Sequence, residues 1–313
     1  MSELTGKKIV ITGGAGFIGS HLVRRLREHN EIIVIDNLSS GRMQNLEDVL
    51  ESVRFVQGDI RDKPLLLVEM AGADYVLHLA AMPSVPRSLQ QPEDSFRSNV
   101  EGTLQVLLAA RDAKVRRVVY ASSSSVYGEN PTLPKVETMP AVPISLYGTY
   151  KLGGELMTRN FYWLYGLETV CLRYFNVFGP NQDPNSQYAA VIPKFITSMA
   201  RDEQPIIFGD GKQTRDFTYV DNVVHANILA CLAQEAACGE TFNIACSRPY
   251  SLNDLVVMIN RQMNKNLQPI YQEPRPGDIK HSYADISKAR RLLGYDIQVS
   301  TEEGLRRTIQ SLQ

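Results

Sequence analysis

The chain has 313 residues, 43% of them hydrophobic, and its 33 Lys and Arg residues nearly balance its 34 Asp and Glu residues. This length predicts one large α/β domain or two smaller ones with a substantial core. A formal net charge of −1 argues against broad electrostatic attraction to nucleic acid or to an anionic membrane, so neither is expected as a partner, although a single pocket could still be basic.

No CxxC spacing occurs among the four cysteines, which are Cys171, Cys231, Cys238 and Cys246. We interpret them as structural thiols and predict no metal site. The first eight residues are polar and lead directly into a strand, so neither a signal peptide nor a transmembrane segment is predicted. These features favour a cytoplasmic location.

A glycine-rich turn, Gly13-x-x-Gly16-x-x-Gly19, follows the first predicted strand and leads into an amphipathic helix. Glycines at this spacing leave room for a tight turn, a bound pyrophosphate and close packing of the helix on the strand. The free amides of the first helical turn can face phosphates. Such turns also join strands to helices for purely structural reasons. The candidate cofactor contacts here are Gly13, Gly16, Phe17 and Ile18.

The second predicted strand, residues 31–35, ends at Asp36, 17 residues after Gly19. A carboxylate there can accept hydrogen bonds from both ribose hydroxyls of adenosine and would repel a 2′-phosphate, which favours NAD over NADP. Asp36 could instead be a helix or turn cap. The adjacent Asn37 is a further candidate cofactor contact.

Two more predicted strands, residues 53–57 and 74–79, end in small or polar residues. Strands that alternate with helical stretches indicate a parallel sheet with ligands at the carboxyl ends of its strands. We therefore predict an α/β fold, a Rossmann-type parallel sheet flanked by helices. His78 is interpreted as a packed or hydrogen-bonded histidine. The candidate cofactor contacts of this region are Asp59, Ile60, Leu79, Ala80 and Ala81, with Asp59 and Ile60 along the adenine.

A serine run, residues 122–125, ends the next predicted strand, which follows a long helix predicted over Glu93–Ala113. That helix carries Asn99, a candidate cofactor contact. The serine run alone could be a polar exit from the strand. Tyr147 and Lys151 change this interpretation, because residues four apart share a helix face and an ammonium close to a phenol lowers the phenol pKa.

The regular alternation of strands and helices loosens beyond residue 180. We predict an NAD-binding Rossmann domain over residues 1–180, with chain crossings from later segments, and a smaller C-terminal α/β substrate-binding cap over residues 181–313. Arg215 and Arg275 in the cap are suited to bidentate phosphate recognition, although arginines are also common on protein surfaces. Helices of the cap are predicted over Val220–Ala233, Ser251–Met263 and Ser287–Leu293.

The order of these motifs closely resembles the extended short-chain dehydrogenase/reductase family over residues 8 to about 294, and within it the nucleotide-sugar 4-epimerases. The resemblance implies a tightly bound NAD that is reduced and reoxidised within each turnover. It is carried by Gly13-x-x-Gly16-x-x-Gly19, Asp36, Asp59, Ser123, Tyr147-x-x-x-Lys151, the Leu172–Pro180 segment, Arg215 and the Arg275–Asp278 segment.

The resemblance also implies a role for each catalytic residue. Tyr147, as the phenolate, would take the proton from the sugar 4-hydroxyl while hydride moves from C4 to the nicotinamide. Lys151 would bind the nicotinamide ribose and lower the tyrosine pKa, and Ser123 would hydrogen-bond the same sugar oxygen. The transient 4-keto sugar would then turn about its pyrophosphate, and hydride would return to the other face, which inverts C4.

Substrate contacts follow from the same resemblance. Arg215, Arg275 and Asn176 would contact phosphates, and Asp278 the nucleotide ribose. Val191 and Phe208 lie in segments similar to those around the uracil, and Tyr174 corresponds to a cofactor contact beside the nicotinamide. The predicted substrate contacts are Arg87, Ser123, Ser124, Ser125, Asn176, Val191, Phe208, Arg215, Arg275, Asp278 and Ser282.

Ser124 and Ser125 stand where similar 4,6-dehydratases and UDP-glucuronate decarboxylases carry an acid or base, which disfavours both activities. UDP-glucuronate 4-epimerases usually carry Thr at the position of Asn176. Ser282 aligns with a pocket-wall residue that is bulky in glucose-restricted epimerases, so its small side chain leaves room for a 2-acetamido group. Alternatively, Ser282 is a small surface residue with no such role.

The sequence therefore predicts an NAD-dependent epimerase for UDP-N-acetylglucosamine and UDP-N-acetylgalactosamine. UDP-glucose 4-epimerase and UDP-glucuronate 4-epimerase are the alternatives, and a non-catalytic NAD-sensing regulator is the alternative of a different class. Family resemblance also implies a homodimer through the helices of Glu93–Ala113 and Tyr147–Tyr165, whose apolar faces could equally be intradomain core.

Overall fold

A computed structural model of the chain describes residues 4–183, 190–274 and 280–312. Its first half alternates strands and helices. The elements in this half are β1 (Lys8–Thr12), α1 (Phe17–Leu26), β2 (Glu31–Asp36), β3 (Arg54–Gln57), α2 (Lys63–Met70), β4 (Tyr75–His78), α3 (Val85–Gln90), α4 (Pro92–Phe96), α5 (Gly102–Asp112), β5 (Arg117–Ser123), α6 (Leu146–Tyr165) and β6 (Glu168–Tyr174).

The second half has shorter strands. Its elements are β7 (Val177–Phe178), α7 (Val191–Ala200), β8 (Ile206–Phe208), β9 (Thr214–Asp216), β10 (Thr218–Tyr219), α8 (Val220–Leu232), β11 (Glu240–Ile244), β12 (Pro249–Ser251), α9 (Leu252–Met263), β13 (Ile270–Gln272), β14 (His281–Ser282), α10 (Ser287–Leu293) and α11 (Thr301–Gln310). The three helices predicted in this half are present as α8, α9 and α10.

Seven parallel strands form the central sheet in the order β11-β6-β5-β4-β1-β2-β3. Side chains alternate across it, so Ile9 and Ile11 of β1 pack into the core on one face and Val10 packs on the other. Helices α1 and α8 contact each other on the first face, and α5 contacts both α2 and α6 on the second. The predicted Rossmann-type sheet flanked by helices is confirmed.

Residues beyond position 180 contribute to both parts of the molecule. Strand β11 and helices α8 and α10 pack into the same core as β1 and α1. A second core joins α7, α9 and α11 to the small strands of the cap. The cap strands form a three-stranded sheet, β12-β9-β14, and two pairs, β10-β7 and β13-β8.

The predicted helix over Glu93–Ala113 is not one regular helix. It consists of α4, a wide π turn over Arg97–Glu101, and α5. A π turn widens the helix locally and often marks a functional site. The four cysteines are all buried thiols, and none of the described helices is long and apolar enough to cross a membrane.

Candidate active site

The glycine turn brings β1, α1 and β4 close together. Gly13 has φ +73°, and a Cβ placed there would lie 2.6 Å from the backbone nitrogen of Ala80. A Cβ at Gly19 would lie 2.2 Å from the Gly13 carbonyl oxygen. Gly16 is the N-cap of α1 and offers no capping side chain. The first amides of α1 are therefore left for a ligand, as an anion site at a helix N-terminus requires.

A cavity of about 1070 Å³ runs along the carboxyl ends of the sheet strands. It is lined both by the glycine turn and by the proposed catalytic tyrosine and lysine. The sequence-predicted residues that line it are Gly13, Gly16, Phe17, Ile18, Asp36, Asn37, Asp59, Ile60, Leu79, Ala80, Ala81, Arg87, Tyr147, Lys151 and Tyr174.

Asp36 lies at the carboxyl end of β2 with its carboxylate in the wall of this cavity. It accepts hydrogen bonds from the backbone amides of Ala15 (3.0 Å) and Leu38 (2.8 Å). Burial raises its pKa, and these two hydrogen bonds oppose that shift. A carboxylate has about four lone-pair sites. Asp36 thus caps the glycine turn and still has acceptor sites for a ribose, so the two predicted roles are compatible.

Asp59 carries a bidentate ion pair with Arg61, at 2.9 and 2.7 Å, and accepts a 3.1 Å hydrogen bond from Asn37. The Arg61 hydrogen bond is the main reason why the pKa of Asp59 falls to about 2. Arg61 also lines the cavity, as do Arg42 and Asp183, which form an ion pair with each other. Sequence reasoning missed these two arginines, although both follow strands whose ends were already assigned to the cofactor.

Asn99 does not line the cavity. Its side chain holds the loop after β4, because Oδ1 accepts from the Met82 amide (3.0 Å) and Nδ2 donates to the Met82 carbonyl (3.1 Å) and to Ser95 Oγ (3.1 Å). Met82 itself lines the cavity. The structure therefore places Asn99, a predicted cofactor contact, in the π turn behind the residues that line the cavity. From there its side chain positions the Met82 backbone.

Tyr147 and Ser123 meet where α6 begins beside the end of β5. Ser145 caps α6 by accepting a 3.1 Å hydrogen bond from the Gly148 amide, which starts the helix just before Tyr147. The Ser123 side chain lies close enough to the Tyr147 hydroxyl to act on its pKa. Burial raises the tyrosine pKa to about 12, and the Ser123 hydrogen bond opposes that shift. Ser123 also accepts from the amide (3.2 Å) and hydroxyl (2.9 Å) of Ser125.

Lys151 lies one turn further along α6 and is almost fully buried. Its Nζ donates a 2.8 Å hydrogen bond to the Ala121 carbonyl and lies 4.9 Å from the centre of the Tyr120 ring. Burial lowers its pKa to about 8, and the charge of Glu155 opposes that shift. The sequence predicts that Lys151 lowers the pKa of Tyr147. In this structure burial dominates and the tyrosine pKa is raised, so the predicted lowering by Lys151 stays a prediction.

Among the described residues, those predicted for the sugar site lie outside the lining of the cavity, apart from Arg87. Ser124 and Ser125 form a 3₁₀ turn after β5, and Asn176 has φ +36° with its Nδ2 donating to the Asp216 carbonyl at 3.3 Å. Val191 begins α7 and Phe208 ends β8. Arg275 and Asp278 lie outside the described residues.

Arg215 and Ser282 are brought together by the small sheet of the cap. They are directly paired in the parallel ladder of β9 and β14, so their side chains lie on the same face. The Arg215 guanidinium donates to the carbonyls of Thr214 (2.9 Å) and Lys280 (3.3 Å), and the Ser282 side chain is buried. The predicted phosphate contact and the predicted pocket-wall residue are therefore neighbours.

Comparisons with known proteins agree with this geometry. Residues 9–245 match the model of the NAD dependent epimerase/dehydratase family. A putative UDP-glucose 4-epimerase of Methanocaldococcus jannaschii is 40% identical, over 96% of this chain and 97% of that protein.

Two solved structures are similar over nearly their whole length. One is UDP-N-acetylglucosamine 4-epimerase from Methanobrevibacter ruminantium in complex with UDP-N-acetylmuramic acid, which is 41% identical with a TM-score of 0.95 over 99% of each chain. The other is UDP-glucuronic acid 4-epimerase from Bacillus cereus in complex with UDP-glucuronic acid and NAD. It is 32% identical with a TM-score of 0.90, over 97% of this chain and 98% of that chain.

Proposed function

The chain belongs to the NAD dependent epimerase/dehydratase family, and we propose that its preferred substrates are UDP-N-acetylglucosamine and UDP-N-acetylgalactosamine. Activity as a UDP-sugar 4-epimerase is supported by its relatives as a group, whose names include acetamido, glucose and glucuronate enzymes. The choice among these sugars rests on Ser282. Ser282 is buried beside Arg215, and a side chain this small would leave room for a 2-acetamido group at the wall predicted to face the 2-position of the sugar.

The cavity fits NAD at several points. The uncapped start of α1 suits a pyrophosphate, and the Asp36 carboxylate suits a ribose diol and disfavours a 2′-phosphate. Bound NAD supplies a hydride acceptor that becomes the donor in the return step. Tyr174 and Lys151 also line the cavity, and they would hold the nicotinamide and its ribose.

Tyr147 is the proposed base toward the sugar 4-hydroxyl. Its pKa of about 12 means that the free chain holds the phenol protonated at neutral pH. Ser123 acts on the pKa of the phenol, and the buried Lys151 lies on the same helix face. These two groups are the chain's own means of stabilising the phenolate once the proton leaves. On the return step the tyrosine gives the proton back to the oxygen at C4.

The sugar has to turn between the two steps while the nucleotide stays bound. Arg215 and Asn176 are the described residues proposed to hold the phosphates, and the Asn176 amide bonds to the carbonyl of Asp216, the residue next to Arg215. Arg275 and Asp278 remain predictions from the sequence. A nucleotide held by charge and a sugar held by few contacts would permit inversion at C4.

Proton NMR of the purified protein with UDP-N-acetylglucosamine, without added NAD, tests the proposal. The C4 epimer should appear and reach equilibrium faster than with equal concentrations of UDP-glucose or UDP-glucuronate. Faster turnover of either other sugar would refute the preferred substrate. Bound NAD without exchange of any UDP-sugar would instead favour the regulatory alternative.

Replacement of Ser282 by Tyr should reduce kcat/KM for the acetamido sugar about tenfold more than kcat/KM for UDP-glucose. The added ring would fill the space proposed for the acetamido group. Ser282→Ala is the matched control, since it keeps the space and should change neither ratio by much. Equal losses on both sugars in Ser282→Tyr would show that Ser282 does not select the substrate.

A homodimer through α4, α5 and α6 is the second part of this proposal. Phe96 on α4 is 47% exposed and packs edge-on against Tyr150 of α6, and Leu164 of α6 is 72% exposed. Exposed apolar residues on two adjacent helices are typical of a subunit interface. The double substitution Phe96→Glu/Leu164→Glu should halve the mass measured by light scattering. Val257→Glu on the cap, where Val257 is 66% exposed, should leave the mass unchanged. A monomeric unmodified protein would refute the dimer.

A further inference from the structure

Glu155 lies on α6 one turn beyond Lys151. Tyr147, Lys151 and Glu155 therefore follow one another at four-residue intervals along one helix face. Only Tyr147 and Lys151 have a role in the proposed reaction. Like Lys151, the Glu155 side chain is almost fully buried, at 4% exposure. A buried carboxylate requires compensation by hydrogen bonds and by an opposite charge.

Two neighbouring strands supply that compensation. The Ser122 hydroxyl, at the end of β5, donates to Glu155 Oε1 at 2.5 Å. Arg173 of β6 donates from Nε to Oε1 at 2.9 Å and from Nη2 to Oε2 at 2.7 Å. This bidentate pair with one further donor fixes the carboxylate in place. Ser122 also lines the reaction cavity, so the network reaches its wall.

The hydrogen bond from Ser122 lies between two contacts that hold the proposed catalytic side chains. Three successive residues at the end of β5 contact α6. The pairs are Ala121 with Lys151, Ser122 with Glu155, and Ser123 with Tyr147. Displacement of Glu155 would therefore disturb α6 at the centre of its contact with the strand end.

Glu155 is also the anionic group that acts on Lys151 among the described residues. His78 is neutral, because its two ring nitrogens bond to Thr12 and Thr103 and burial lowers its pKa to about 3. The titratable and charged groups around Lys151 are His78 of β4, Tyr120 of β5, Cys171 and Arg173 of β6, and Tyr147 and Glu155 of α6.

We propose that Glu155 is a positioning residue of this active site, which keeps Lys151 charged and fixes α6 against the end of β5. The proposal rests on the role given above to Lys151 toward NAD. Burial alone favours neutral lysine, and a neutral amine is a poorer hydrogen-bond donor to a ribose and gives no charge to stabilise a phenolate. The carboxylate one turn away offsets that cost, and its bidentate pair with Arg173 holds it in place.

The sign of the pH effect follows from the direction of these shifts. Lys151 loses its proton as the pH rises through its pKa, which burial has lowered to about 8. Removal of the Glu155 charge lowers that pKa further, so the functions that need the ammonium should fail at a lower pH. The acid side of the profile should stay in place, because Glu155 acts on the lysine and not on the substrate.

The double variant Glu155→Gln/Arg173→Gln tests this proposal, because it removes both charges and leaves two amides that can bond to each other. Two quantities are measured against pH: the NAD retained after gel filtration and the kcat of epimerisation. The alkaline limit of each quantity is the pH above which it falls to half of its maximum. Both alkaline limits should move down by about one pH unit. An unchanged alkaline limit in a double variant that retains NAD at neutral pH would overturn the proposal.

Two further variants separate charge from packing. Arg173→Gln removes the cation and leaves the carboxylate, so its alkaline limits should stay or rise. A fall of these limits in Arg173→Gln would overturn the proposal, because it would show that lost packing alone lowers them. Glu168→Gln is the matched control, because Glu168 pairs with the buried Arg117 between the same two strands at their amino ends. It should lower stability and leave both limits unmoved. NAD retention needs no sugar, so the test is independent of the preferred substrate.

Discussion

Replacement of Tyr147 by Phe is expected to lower kcat for C4 epimerisation by about 10³-fold or more while NAD stays bound. The substitution removes only the hydroxyl, which is the proposed base. Ser123 is the side chain that acts on the pKa of this hydroxyl, and a serine hydroxyl is too weakly basic to replace the phenolate. The measurement is the rate of epimer formation by NMR, together with the absorbance of protein-bound NAD.

Tyr150→Phe is the matched control for this substitution. Tyr150 lies on the same helix, and its hydroxyl approaches only the Pro92 carbonyl, at 3.5 Å. The control should keep nearly full activity. Activity of Tyr147→Phe within a few-fold of the unmodified protein would refute the assigned base, and loss of NAD from it would show that the tyrosine binds the cofactor more than it moves a proton.

Replacement of Gly13 by Ala is expected to destabilise the fold by about 3 kcal/mol or more and to abolish NAD retention. Gly13 has a left-handed backbone, and its Cβ would lie 2.6–2.9 Å from backbone atoms of Leu79 and Ala80. Backbone cannot move aside as the end of a flexible side chain can. The loop that follows β4 would have to shift, and that loop lines the cavity. Urea unfolding and bound-NAD absorbance measure the two effects.

Two other glycines act as controls for strain and for cofactor contact. Gly6 has φ +64° with no atom within 4 Å of a built Cβ, so Gly6→Ala should cost only about 1 kcal/mol. Gly16 has φ −75°, and its Cβ would approach the Gly13 carbonyl at 3.2 Å. Gly16→Ala should weaken NAD binding more than folding. Equal stability of Gly13→Ala and Gly6→Ala would refute the packing explanation.

Local sequence was sufficient for the parts of the site that lie within one turn or one strand end. The glycine turn, Asp36 and the pair of Tyr147 and Lys151 could be predicted because strand, turn and helix periods place neighbours in sequence near one another in space. Parallel strands then bring their carboxyl ends to one edge of the sheet. The residues of that edge line one cavity in the structure.

Glu155 shows how a local signal can be present and still be missed. It continues the four-residue spacing of Tyr147 and Lys151, which could have indicated a third member of the helix face. Its significance depends on Arg173, which is 18 residues away on β6, and on Ser122, which is 33 residues away on β5. The spacing does not say whether an acidic residue on a helix is buried or exposed.

The tertiary structure bears on the predicted roles of Asn99 and Ser282 in opposite ways. Asn99 was assigned to the cofactor, and a π turn places its amide on the Met82 backbone instead. Ser282 and Arg215 were each assigned to the substrate through resemblance alone, and the ladder of β9 and β14 pairs them across 67 positions of sequence. Whether a side chain points into a cavity depends on helix width and strand register, which are set by long-range packing.

The sequence by itself determined the class of this protein: a parallel sheet, a dinucleotide site at its carboxyl edge, and a tyrosine and lysine on one helix face. Each of these features depends on the spacing of residues that are close together in sequence, so one sequence is enough to predict them. Only the tertiary structure decided which buried charge supports Lys151, what holds the wall near Asn99, and what lies beside Ser282. Each of those depends on contacts between segments that are far apart in sequence. The order of residues along the chain does not show which of these segments lie close together in space.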